Sequence, residues 1–155
     1  MKCVGKNETL RIFYAADKLT SGLSVVFNIW SDAPTLLYQN QAALSEVGNE
    51  GIYYFDLVTP NFDLYLLIIA SNSGVAAEAQ IVKVGSPSSK AFYVHGNFES
   101  GRTMGYEIYD SANSVLASDN LTDVIAGFYS ASTQGLAEPW FFEVFPWTVK
   151  NKPCS

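Results

Sequence analysis

The stretch Leu23-Ser24-Val25-Val26-Phe27-Asn28-Ile29-Trp30 decides how this chain folds. Leu23, Val25, Phe27 and Ile29 fall on one side of an extended backbone, and Ser24, Val26, Asn28 and Trp30 on the other. Successive side chains of a strand point to opposite faces, so an apolar residue at every second position marks a half-buried strand. The same period runs through Tyr53, Phe55 and Leu57, which alternate with Tyr54, Asp56 and Val58. It returns in Met104, Tyr106 and Ile108, which alternate with Gly105, Glu107 and Tyr109. β-branched and aromatic residues fill most of these positions, as suits a pleated, half-covered surface. Between the runs stand Thr20-Ser21-Gly22, Ser31-Asp32-Ala33-Pro34, Gly48-Asn49-Glu50-Gly51, Thr59-Pro60-Asn61 and Ser71-Asn72-Ser73-Gly74, all of turn-forming composition. Strands are predicted near 9–16, 23–31, 35–39, 51–58, 63–70 and 77–84, then near 90–95, 103–110, 114–118, 126–133 and 139–146. Ala42, Ala43, Leu44 and Val47 have helical spacing, so a helical turn is predicted within Gln39 to Val47. Many short strands between turn signals imply an all-β, antiparallel sandwich.

The runs also repeat. Arg11-Ile12-Phe13-Tyr14 is echoed by Lys90-Ala91-Phe92-Tyr93, and Phe27-Asn28-Ile29-Trp30 by Tyr106-Glu107-Ile108-Tyr109, both 79 positions on. Gly51-Ile52-Tyr53 returns 76 positions on as Gly127-Phe128-Tyr129, which a three-residue deletion in the second copy explains. The matches are collinear, so two copies of one module are expected: residues 1–85 and 90–155, joined by a short linker at 86–89.

Composition narrows the function. Of the 155 residues, 48% are hydrophobic and 15% charged, enough to bury a core in each module. Fifteen acidic against nine basic residues give a net charge of −6, which argues against nucleic acid, because phosphate neutralisation needs a basic face. Two cysteines, Cys3 and Cys154, supply neither a disulfide framework nor a zinc module, and two free thiols are expected. Met1 to Glu8 has no apolar core of a secretion signal, and the longest apolar run, Leu64 to Ala70, is too short to span a bilayer. A soluble chain without membrane insertion is the expectation.

No reaction suggests itself. His95 is the lone histidine, and one imidazole makes neither a general-base system nor a metal centre unaided. Asp119-Asn120-Leu121-Thr122-Asp123 offers oxygen atoms but lacks the glycine and terminal glutamate of a calcium-binding loop, so a turn is expected. Asp56 and Asp63 flank Thr59-Pro60-Asn61 and are expected to be solvated turn residues rather than a glycosidase pair. No catalytic residue, metal or cofactor is therefore assigned.

One resemblance stands out. Leu44-Ser45-Glu46-Val47, then Gly51-Ile52-Tyr53-Tyr54-Phe55, then Pro60, leading into an apolar strand centred on Tyr65, is similar to immunoglobulin-like modules in accessory virion proteins of tailed bacteriophages. It covers most of residues 10–84 and, more weakly, 90–147, where no proline stands in the place of Pro60. The resemblance implies two tandem immunoglobulin-like antiparallel β-sandwich modules and a non-enzymatic structural protein. Its implied role is head decoration, neck or tail adaptor, or fibre anchor, in a particle assembled in the host cytoplasm. Its implied partners are other virion proteins and further copies of the chain. A carbohydrate-binding or adhesion module, taking a glycan on Trp30, Trp140 or Trp147, is the alternative.

Three Trp, nine Tyr and ten Phe are available for contacts. Leu64-Tyr65-Leu66-Leu67-Ile68-Ile69 and Trp140-Phe141-Phe142-Glu143-Val144-Phe145-Pro146-Trp147 are apolar on both faces, unlike strands with one wet side. The expected protein interface is drawn from Trp140, Phe142, Phe145, Trp147, Tyr65 and Leu67. The second module also runs short: after Pro146 only Trp147 to Lys152 stands where the first module has a full return strand. Its last strand is expected to be missing and its edge completed by a strand from a neighbouring subunit or another protein.

Overall fold

The chain is described by a computed structural model at residues 1–33, 35–42 and 45–146. It divides into two compact units, Met1–Pro87 and Ser88–Ser155. The first unit contains β1 (Lys2–Val4), β2 (Thr9–Ala15), β3 (Val25–Ser31), β4 (Leu36–Ala42), β5 (Ser45–Glu46), β6 (Ile52–Val58), β7 (Leu64–Asn72) and β8 (Val75–Val84). The second contains β9 (Lys90–Val94), β10 (Met104–Asp110), β11 (Val115–Asn120), β12 (Thr122–Ile125), β13 (Phe128–Ser132) and β14 (Trp140–Pro146). The protein is all-β. Among the described residues the one helical element is a single 3₁₀ turn at Asp17–Leu19.

The alternation read from the sequence explains the layers of the first unit. In β2, Leu10, Ile12 and Tyr14 are buried while Thr9, Arg11 and Phe13 are exposed. In β6, Tyr53, Phe55 and Leu57 turn inward in the same way. One sheet has the order β1-β8-β7-β3-β4 and the other β2-β6-β5. A single core joins them: Leu10, Ile12, Phe55 and Leu57 from the short sheet meet Phe27, Ile29, Leu66 and Ile68 from the long one. Burial of large apolar side chains, about 1.5–3 kcal/mol each, is the main force holding the layers together. All strand pairs are antiparallel except β1 with β8, which is parallel.

The second unit repeats the plan. One sheet has the order β11-β10-β14 and the other β12-β13-β9. Met104, Tyr106 and Ile108 of β10 meet Tyr129 and Ala131 of β13 in its core. Strands β9 to β14 pair with one another as β2 to β7 do, and β8 has no counterpart among the described residues of the second unit.

Several local expectations are corrected. Gln39 to Ala42 continue strand β4, because Gln41 and Ala42 pair with Phe27 and Val26 of β3, and Ser45–Glu46 form β5 against Tyr54 and Tyr53. The helical turn is thus absent from the described part of that segment. Asp119 and Asn120 end β11, and Thr122 and Asp123 open β12, so the expected turn is a passage from one sheet to the other. Buried Leu121 anchors it by donating its N–H to the Met104 carbonyl at 2.8 Å. Lys2–Val4 form an additional strand, which leaves Cys3 as a free, exposed thiol. Trp147, Cys154, Lys150, Lys152 and the expected return of the chain after Pro146 lie outside the described residues, as do Pro34, Ala43 and Leu44.

Candidate interaction surface

The strand register decides which of the aromatic residues reach the surface. Tyr65 and Leu67 alternate with the core residues Leu64, Leu66 and Ile68, yet are themselves only 1% and 0% exposed. An interface needs side chains at the surface, and these two are not there. Trp140 and Phe142 are half-buried and pack against the second core, with Phe142 tilted against Tyr106 at a centroid distance of 5.9 Å. Phe145 is half-buried on the opposite face of β14, and Trp147 lies beyond the described residues. The residue the sequence reading passed over is Phe141. It is 59% exposed and points away from the core. Because β14 is apolar on both faces, only its pairing with β10 fixes which residues face out.

That pairing builds three rows across the outer face of β11-β10-β14. Val115, Tyr109 and Phe141 form the first, Ser118, Glu107 and Glu143 the second, and Asn120, Gly105 and Phe145 the third. A register shift between Ile108 and Tyr109 brings Val115, 54% exposed, into the first row and leaves Leu116 exposed beside it. The middle row sets two carboxylates directly opposite each other, an arrangement that destabilises a sheet by a fraction of a kcal/mol, about 0.2–1. The Tyr109 hydroxyl donates a hydrogen bond to Glu107 Oε2. That bond, partial desolvation and the charges of Glu107 and Glu143 push the Tyr109 phenol up to about 12. No described cation forms an ion pair with either carboxylate. The face is therefore an apolar patch joined to a doubly negative one.

A second feature recurs in both units: a loop clamped against the start of the central strand of the short sheet. In the first unit the Tyr53 hydroxyl accepts from Leu23 N at 2.8 Å and donates to the Thr20 carbonyl at 3.3 Å. In the second, Tyr129 accepts from Arg102 N at 3.0 Å and donates to the Glu99 carbonyl at 2.9 Å. Ala16 N donates to the Gly51 carbonyl at 2.8 Å, and His95 N to the Gly127 carbonyl at 2.9 Å. A carboxylate completes each clamp. Glu46 accepts from Gly22 N at 3.0 Å and Gly51 N at 2.7 Å, and Asp123 accepts from Gly101 N. The two backbone donors hold the Glu46 carboxyl below its ordinary range. Gly51 and Gly127 allow the loop backbone to approach: an added Cβ would stand 2.5 Å from the Leu19 carbonyl oxygen or from Phe98 Cα. Leu19 and Phe98 occupy the same place in the two loops and both have left-handed backbones, with φ of 51° and 54°.

The remaining candidates have structural roles. His95 opens the second clamped loop, and its Nδ1 accepts from Asn97 N at 3.3 Å. Asp56 makes two 2.7 Å hydrogen bonds to Arg11 across the strands, and Asp63 accepts from Ser86 N at 2.9 Å and pairs with Lys6. Each partnership holds its own carboxyl below the usual range. Among the described residues no group of three or more His, Cys, Asp or Glu is placed to hold a metal, and no helix is long and apolar enough to cross a membrane. The clamps were hard to read from sequence because their anchors are backbone groups, although the repeat of Gly51-Ile52-Tyr53 as Gly127-Phe128-Tyr129 was a visible sign of them. No protein-family model matches this chain, and no curated protein matches it.

Proposed function

We propose that each unit is an immunoglobulin-like module and that the protein is a non-enzymatic structural and interaction component of a tailed-phage particle. The observation that carries the first part is sheet order. In the first unit β2-β6-β5 faces β8-β7-β3-β4, and in the second β9-β13-β12 faces β14-β10-β11. In the first unit this resembles the partition of an immunoglobulin sandwich into a B-E-D sheet and a G-F-C sheet extended by a further edge strand, and the described strands of the second unit follow it except for a counterpart of β8. The parallel addition of β1 to β8 extends the long sheet of the first unit beyond that set.

The particle assignment rests on the resemblance carried by Gly51-Ile52-Tyr53-Tyr54-Phe55, whose glycine and first tyrosine lie at the clamp, and on the mixed apolar and acidic face of β11-β10-β14. A decoration, adaptor or anchoring protein works by presenting such faces on rigid scaffolds, with other virion proteins and further copies of itself as partners. The half-buried position of Trp140 against the core favours protein contact over the stacking of a glycan on that ring. Electron microscopy of phage particles labelled with antibody to this chain tests the assignment. Label at a fixed position on the particle is the expected result, and label found only on unassembled protein would overturn it.

A further inference from the structure

The first clamped loop carries two consecutive non-glycine residues with left-handed backbones, Lys18 at φ 54° and Leu19 at φ 51°. A side chain with a Cβ adopts this conformation only where its surroundings hold it there, and for a bulky residue it is a genuine outlier. The clamp does the holding, through Tyr53, Gly51 and Glu46. What it holds adds nothing to the core, because Leu19 is 56% exposed and Lys18 is exposed beside it. Lys18 forms no ion pair with any described residue, whereas Lys6, Arg11 and Arg102 are each engaged by a carboxylate. Asp17, also exposed, precedes it. The loop therefore presents one unpaired cation next to one exposed aliphatic side chain, in a fixed backbone.

The outer face of β11-β10-β14 has the opposite character. Glu107 and Glu143 oppose each other without a cation, and Phe141 and Val115 lie exposed in the adjoining row. We infer that the Lys18-Leu19 loop of one copy docks on this face of a second copy. This rests on reading the face as an interaction surface. The Lys18 ammonium meets Glu107 and Glu143 and relieves their mutual repulsion, while Leu19 covers Phe141 and Val115 and removes apolar surface from water. Loop and face are different patches, so a copy whose loop is docked still has its own face free, and such head-to-tail contacts can continue from copy to copy.

A charge-swap experiment with the full chain tests this. Sedimentation velocity should show wild-type protein associating with rising concentration, more weakly in high salt. Lys18→Glu and Glu143→Lys should each weaken association by about tenfold, roughly 1.4 kcal/mol. An equimolar mixture of the two variants should associate again, because one copy's lysine loop then meets the other's unaltered face. Leu19→Gly should raise the melting temperature, by relieving the left-handed backbone, and still weaken association. A wild-type chain that stays monomeric up to its solubility limit would overturn the inference. So would association that ignores both charge reversals, a mixture that fails to recover, or a Leu19→Gly variant that melts lower. All of these are read on purified protein, so they leave the particle assignment to its own test.

Discussion

Gly51 and Gly127 stand where a side chain has no room. Each has a left-handed backbone, at φ 70° and 81°, and each lies against the backbone of the clamped loop. Gly74, at φ 81°, has nothing within 4 Å of its missing Cβ. Alanine at Gly74 should therefore register backbone strain alone, about 1 kcal/mol, whereas alanine at Gly51 or Gly127 adds a backbone collision and should lose about 3 kcal/mol in urea unfolding. Equal losses at all three positions would remove the collision from the account. The tyrosines give a second handle on the clamp. Tyr53→Phe and Tyr129→Phe each delete a part-buried hydroxyl bonded on both sides, so each should cost about 0.5–1.5 kcal/mol. The loss should be greater at Tyr129, whose bond to the loop carbonyl is 2.9 Å against 3.3 Å at Tyr53. Tyr109 tests the acidic row. With its pKa raised to about 12, it holds its proton more tightly in the folded chain than in the unfolded one. Its contribution to stability is thus complete below the ordinary tyrosine pKa near 10 and is lost as pH rises from there through about 12. Ultraviolet titration should find Tyr109 among the late-ionising tyrosines, with Tyr14 and Tyr106, and the late part of the curve should move earlier in Glu107→Gln; an unchanged titration curve would contradict the hydrogen bond.

Between elements, the contrast of β7 with β14 separates what the sequence discloses from what it withholds. Alternation in β2, β3, β6 and β10 is legible because one face is apolar and the other mixed, and burial follows it residue by residue. In β7 both faces are apolar, and in β14 Glu143 is the one charge, so periodicity alone is a weak guide to which residues turn inward. Cross-strand register supplies that information, and it places Phe141 outside and Phe142 inside. The passage from β11 to β12 was illegible for a different reason: Asp119, Asn120 and Asp123 have the composition of a turn, and pairing of the first two with β10 and of Asp123 with β13 overrides it. Glu107 facing Glu143 is likewise a fact of register. Glu143→Gln should stabilise the isolated chain by about 0.2–1 kcal/mol, measured by chemical unfolding, because it removes a like-charge pair. A destabilised variant would mean that the attraction of Glu143 for the Tyr109 hydroxyl outweighs its repulsion from Glu107.

At the scale of the whole molecule, the same six-strand plan and the same clamp occur twice, with different residues at the loop tips and on the sheet faces. The copies were visible in sequence as Phe-Tyr and Gly-x-Tyr strings, since the residues that build the sandwich and its clamp recur with the plan. The candidate surface was not, because Glu107, Tyr109, Phe141 and Glu143 come together only through pairing of β10 with β14. On this account the protein acts by presenting surfaces on two rigid sandwiches within a phage particle. The most direct test is quantitative mass spectrometry of purified particles from a phage that encodes this chain. The account predicts the chain among the structural proteins at a fixed copy number that survives stringent purification, and its loss from particles washed free of unassembled protein would contradict it.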